Sequence, residues 1–209
     1  MKLRVLLSVL WTVYGIGASA QLVLVKKLDR FTSNFSQEYA SISSERRNEL
    51  SKVAELVSLS QSRGEVASIV FTSENNASIS QLSQAWMQVA IEKFNLKRVQ
   101  VYSAGMKETA ISKSAVNALK SAGFKISDNT PFSANPRYLV SYSWDSNAML
   151  MFSKKADNFQ IPTTENISIN VDESLNSADN ADARSKQIAV EMFFLADKIQ
   201  SSHMLSLQR

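Results

Sequence analysis

No cysteine occurs anywhere in the 209 residues. Disulfides, thiolate nucleophiles, cysteine-bound metals and a thiol-linked lipid anchor are all excluded by that absence. Histidine occurs once, as His203 near the C-terminus. One imidazole without a thiol does not make a transition-metal site, so neither a metal nor a cofactor is expected. Only 3 prolines and 5 glycines interrupt the chain, which argues against disorder. The cations are scattered in short pairs such as Arg46-Arg47, Lys97-Arg98 and Lys154-Lys155. Nucleic acid is not an expected partner, because its recognition needs a denser basic stripe with interleaved aromatics. Stability must therefore come from packing, and a chain of this length that is 44% hydrophobic supplies one good core.

What is present begins with a distinct N-terminal segment. Lys2 and Arg4 precede an uncharged apolar stretch, Val5 to Gly17, and Ala18-Ser19-Ala20 forms a small-residue exit. This pattern predicts a secretory signal peptide over residues 1–20, cleaved before Gln21. An uncleaved anchor is the alternative, although the stretch is short for a membrane span. The expectation is an exported protein, periplasmic or secreted, with no stable membrane span after cleavage. Cleavage would lower the formal net charge of +4 by two.

Residues 21–64 are expected to form a helical extension, with a first helix over Leu28–Tyr39. A second follows over Ser44–Ser62, where Leu50, Val53, Ala54 and Val57 recur at helical spacing. Residues 65–200 read as one α/β domain. Val66–Thr72 is a strand, 80–95 a helix, and Lys97–Ser103 a second strand. Ser112–Ala122 is helical, stopped by Gly123. Arg137–Ser143 and Ala148–Ser153 form a hairpin turned by Trp144–Asn147, and Ile167–Val171 is a last strand. A closing helix spans Asp179–Gln200, and residues 201–209 are expected to be a frayed tail. Strands alternating with helices imply a three-layer sandwich on a mainly parallel sheet, to which the hairpin adds an antiparallel element.

The most informative stretch is Val66 to Trp86. An apolar strand enters a polar loop, and a helix opens directly after it. Unpaired N–H groups and the helix dipole make such a loop a cradle for an anion. The stretch resembles the phosphate loop of the low-molecular-weight protein tyrosine phosphatases and their arsenate-reductase relatives. In that family a strand leads to Cys, five residues, Arg and Ser, and then a helix. Here Val70-Phe71-Thr72 is followed by Ser73 through Ser80 and then by Gln81-Leu82-Ser83-Gln84-Ala85. The resemblance continues through Val101-Tyr102-Ser103-Ala104-Gly105, Ala122-Gly123-Phe124-Lys125-Ile126-Ser127, Phe152-Ser153-Lys154-Lys155 and Arg184 to Ala189. It covers about residues 44–200. It implies the family's α/β fold, with Asn76 and Ser80 at the family's Asn and Ser.

The departures fall on the chemistry. Ser73 stands at the nucleophile's place and Ile79 at the place of the phosphate-binding arginine. A serine hydroxyl without a base is a poor substitute for a thiolate, and isoleucine carries neither charge nor donor. The family's general acid would fall near Asp172 and Glu173, where the alignment is ambiguous. The resemblance thus implies a catalytically inactive member acting as a binding or interaction module, with no catalytic residues. Its anion-binding candidates are Ser73, Glu74, Asn75, Asn76, Ala77, Ser78 and Ser80, and the ligand is a phosphate-like anion or a protein partner. Two alternatives stay open: a residual hydrolase acting through Ser73, and a structural envelope protein with a vestigial loop. Trp144, in the hairpin turn, either contacts a partner or folds back over the sheet edge. Trp86, Met87, Met149, Met151 and Met192 read as core filling.

Overall fold

The structure, a computed structural model, describes residues 24–158, 165–171 and 181–206. The N-terminal signal segment and the acidic positions Asp172 and Glu173 lie outside the described residues.

Four segments open the chain. Helix α1 spans Lys26–Thr32, a 3-10 helix spans Phe35–Ser41, and α2 spans Ser44–Ser62 before strand β1, Ala67–Ser73. A single helix over Leu28–Tyr39 is therefore not what forms. The break falls at Ser33-Asn34. The Ser33 hydroxyl donates to the Arg30 carbonyl at 2.9 Å, and short polar side chains of this kind compete with helix continuation. Helix α2 starts cleanly because the Ser43 hydroxyl accepts from the Arg46 amide at 3.2 Å.

The central sheet has strand order β2-β1-β6, all parallel, with β2 at Val99–Gly105 and β6 at Glu165–Asn170. Helix α3, Ile79–Lys93, is the crossover that joins β1 to β2, as a parallel pair requires. The register runs from Ala67 opposite Val99 to Ser73 opposite Gly105. Strand β1 is buried along nearly its whole length, as a central parallel strand should be. After α4, Lys113–Ala122, come β3 (Lys125–Asp128), β4 (Tyr138–Ser141) and β5 (Met149–Met151). These three form a separate antiparallel sheet of order β3-β4-β5. The hairpin therefore belongs to its own sheet, and β3 is a strand that hydrophobic patterning does not reveal.

Helix α5, Ala181–Ser206, closes the fold. It continues through the residues expected to fray from Ser201, and so carries His203 on a helix. The core is continuous across the predicted extension and the domain. Leu28, Phe35, Leu50 and Val57 are buried with Phe71, Trp86 and Leu195. Phe31 stacks on Trp86 with ring centroids 5.6 Å apart, and Phe35 meets Phe193 edge-on at 5.2 Å. Met87, Met151 and Met192 fill the core.

Candidate functional site

The loop between β1 and α3 lies at the C-terminal end of the parallel sheet, and its carbonyls are tied from outside. The Ser73 carbonyl accepts from the Met106 amide at 3.2 Å and that of Glu74 from the Lys107 amide at 2.9 Å. Asn75 accepts from the Thr109 hydroxyl at 3.1 Å and the Ser153 hydroxyl at 3.0 Å. Ala77 accepts from the Ser112 amide at 2.9 Å. A planar peptide whose carbonyl points out presents the next N–H on the opposite side. The N–H groups that follow these carbonyls therefore lie on the side of the loop away from Met106, Lys107, Thr109 and Ser112, the side an anion nest uses.

One of those amides shows the direction. Asn76 N–H donates to the Ser73 hydroxyl at 3.1 Å. The Ser73 and Ser80 hydroxyls are 2.9 Å apart, and the Asn76 amide nitrogen donates to Ser80 at 3.0 Å. Asn76 sits in the left-handed region at φ 47, a conformation asparagine tolerates better than most residues. Ser73, Asn76, Ser78 and Ser80 are all buried. The structure thus brings Ser73, Asn76 and Ser80 into one network, beside α3's first turn.

Three residues that pattern reading did not single out hold this network. Gln81 donates to the Asn76 side-chain oxygen at 2.7 Å and to the Phe152 carbonyl at 2.8 Å. Lys154 N–H also donates to that Asn76 oxygen, at 2.9 Å. Gly105 is needed for close approach: a Cβ there would lie 2.7 Å from the Asn76 nitrogen and 2.9 Å from the Asn75 carbonyl carbon. All three fall within the runs that carry the family resemblance, but nothing in those runs marks them as partners of Asn76.

Ile79 does not face the nest. It is 3% exposed and belongs to the core. It lines a cavity of about 260 Å³ shared with Arg46, Ser83, Asn170, Arg184 and Glu191. The guanidiniums there already have partners. Arg46 meets Glu191 at 2.9 Å and Glu49 at 3.0 Å, and Arg184 donates to Gln187 at 3.0 Å. Burial pulls the Arg46 pKa down, but the Glu191 and Glu49 carboxylates outweigh it and the net shift is upward. On the loop's rim Glu74 pairs with Lys107 at 2.6 Å, and this hydrogen bond and its charge hold the Glu74 carboxyl below its usual pKa.

No family model matches the chain, and no curated protein matches it. Solved structures do. One is a YwlE mutant from Bacillus subtilis, 13% identical, matched over 64% of this chain and 98% of that one with a TM-score of 0.43. Another is a low-molecular-weight phosphotyrosine phosphatase from Vibrio cholerae O395, 12% identical over 68% and 97%, TM-score 0.33. A third is a thioredoxin-dependent arsenate reductase from Corynebacterium glutamicum, 16% identical over 86% and 97%, TM-score 0.35. The chain shares its α/β fold class with these proteins.

Away from the loop, Trp144 is 67% exposed, and the Lys125 ammonium sits 3.4 Å from its ring centroid. It is exposed with a cation stacked on it, a geometry that stabilises its place beside β3. Among the described residues no cluster of metal-binding side chains occurs, and no helix is long and apolar enough to cross a membrane.

Proposed function

We propose that this chain is an exported, non-catalytic relative of the low-molecular-weight phosphatases, and that its loop binds a phosphate-like anion without cleaving it. The observation that carries this reading is the pairing of an inward-facing amide nest with Ile79 turned into the core. The nest supplies donors; the place where a guanidinium would stabilise a transition state supplies none. The Ser73 hydroxyl meets the Ser80 hydroxyl and accepts from the Asn76 N–H, and neither of these groups is a base that could prepare it for attack on phosphorus.

The missing charge-assisted pair would be worth about 1.5–3 kcal/mol, so binding falls one to two powers of ten below that of an arginine-bearing loop. The test uses the full chain. With an aryl phosphate, no turnover above background is expected. Turnover that disappears in Ser73→Ala would establish the hydrolase instead. Titration with phosphate and sulfate should move the amide resonances of residues 74–80 at millimolar ligand. Still resonances would leave the loop vestigial and the protein structural. Export is tested by N-terminal sequencing of the exported product, where a start at Gln21 is expected.

A further inference from the structure

A second site lies between the two sheets. Strand β2 is an outer strand of the parallel sheet, and β5 is an outer strand of the antiparallel one. Among the described residues the two sheets join at one point, where Gly105 N–H donates to the Lys154 carbonyl at 2.8 Å and Gly105 bridges Lys155 in parallel. Elsewhere they part around a cleft of about 690 Å³, walled by Val101 of β2, Met149 of β5, Phe152, and Gln84, Gln88 and Glu92 of α3. Sites for small organic ligands commonly have such volumes, roughly 300–1,000 Å³.

The edge of β2 facing this cleft is unpaired. The Ala67 amide donates to the Arg98 carbonyl, so the even-numbered residues of β2 turn their backbone groups toward β1. The odd-numbered ones, including Val101, Ser103 and Gly105, turn theirs away, and the Gly105 bond to Lys154 fixes that phase. Among the described residues nothing takes the outward N–H and C=O of Val101, which lines the cleft, whereas Ser103 is fully buried and does not. An unpaired edge group beside such a cleft calls for a partner.

Charge is segregated along the cleft. The Ser103 hydroxyl donates to Gln84 at 2.6 Å, which fixes that end of α3 beside the C-terminal half of β2. Lys154 lies at this end, 8% exposed and near the Phe152 ring. Glu92 is two turns further along α3, about 12 Å away at 1.5 Å per residue. Asp145 lies in the β4–β5 turn, at the end of the hairpin away from Lys154, and lines the cleft there. The cleft is cationic at the end toward which β2 runs and anionic at the other.

From the free edge, the volume and the charge polarity, we infer that this cleft is a slot for strand addition. Its occupant is a short peptide with free termini, three or four residues long. The peptide lies extended and parallel to β2, its carboxylate toward Lys154 and its ammonium toward Glu92 and Asp145. The length follows from an extended rise of about 3.3–3.6 Å per residue across that span. Main-chain bonds to Val101 would supply affinity, and the charged ends would fix direction. The inference does not depend on anion binding by the loop.

The test is an amide-resolved NMR titration of the full chain with the tripeptide Val-Thr-Val, in free and blocked forms. The free tripeptide should shift the Val101 amide and slow its hydrogen exchange. Amidating its C-terminus, or the substitution Lys154→Met, should each weaken binding about tenfold, and the two together little further, since both remove one ion pair. Acetylating its N-terminus should weaken binding to wild type but not to Glu92→Gln/Asp145→Asn. Silence at 5 mM free tripeptide would overturn the proposal. So would equal binding of the doubly blocked peptide, or shifts confined to residues 73–80. The blocked peptides are read on the unmodified protein, so the proposal stays testable if a variant fails to fold.

Discussion

Gly105 shows how one residue couples the sheet to the loop. It lies on β2, yet the atoms that a Cβ would strike belong to the backbone of Asn75 and Asn76, which no rotamer change can move aside. Gly105→Ala is therefore expected to cost about 1–3 kcal/mol and to displace the loop. Urea denaturation checks the first effect, and loss of phosphate-induced shifts checks the second. Ile79→Arg tests the opposite question, whether the arginine position still addresses the nest. Because Ile79 faces Arg46, Arg184 and Glu191 across a small cavity, the new guanidinium is expected to destabilise by about 2–4 kcal/mol without gain in phosphate affinity. An unchanged midpoint with tighter phosphate binding would show that the side chain swings into the loop. Lys154 carries a pH signature. Burial lowers its pKa from 10.5 to about 8. Between those values the unfolded chain binds more protons than the folded one, so this residue's contribution to stability rises with pH across the window and is least favourable below pH 8. Tyr102, Tyr142, Glu92 and Asp145 line the same cleft, and burial raises both phenols above their ordinary value. Lys154→Met is expected to be more stable than wild type at pH 7 by about 1–3 kcal/mol. That advantage should shrink by pH 10, and a gap that stays constant would contradict the assignment.

Among the elements, the strand–loop–helix unit was the most legible. Its apolar strand, polar interruption and helical spacing occupy contiguous residues, so local pattern and tertiary role coincide. Strand β3 was not legible, because Lys125, Ser127 and Asp128 are exposed and only Ile126 marks an inner face. Its strandhood comes from pairing with β4, a contact that local pattern does not encode. The roles of Gln81 and Lys154 are hidden for a related reason. A glutamine in a helix and a lysine in a loop are ordinary surface residues until the fold buries them against Asn76. The stripe of Ile188, Met192 and Leu195 on α5 was legible, but Val190, Phe193 and Phe194 are buried as well, because the helix is covered on several sides. Helix α4 joins element to loop through its cap. Ser112 accepts from the Ala115 amide at 3.2 Å and also accepts the Ser78 hydroxyl at 2.9 Å. Ser112→Ala should lose about 1 kcal/mol as a capping defect. It should also remove the Ser78–Ser112 hydroxyl bond, visible as faster hydrogen exchange at the start of α3. A loss of stability with unchanged exchange there would confine the effect to α4.

For the whole molecule, the N-terminal helices share one core with the α/β part. Leu28, Phe35 and Ile42 are each under 5% exposed, and Phe31 and Phe35 cover Trp86. Burying each of those three aliphatic and aromatic side chains contributes roughly 1.5–3 kcal/mol. Their sum is comparable to the total stability of a typical domain, about 5–15 kcal/mol. A chain lacking residues 1–42 would also leave the Trp86 ring open to water. Such a truncation is therefore expected to lose its fixed tertiary packing rather than to behave as a smaller native domain. Trp144 is already exposed, so replacing it in Trp144→Phe leaves Trp86 as the sole indole of the truncated chain. Its emission should move to the red relative to the full-length Trp11→Phe/Trp144→Phe protein, whose sole indole is also Trp86, and the cooperative urea transition should broaden or vanish. A blue-shifted Trp86 with a sharp transition would show that the α/β part closes its own core and that α1 is an accessory.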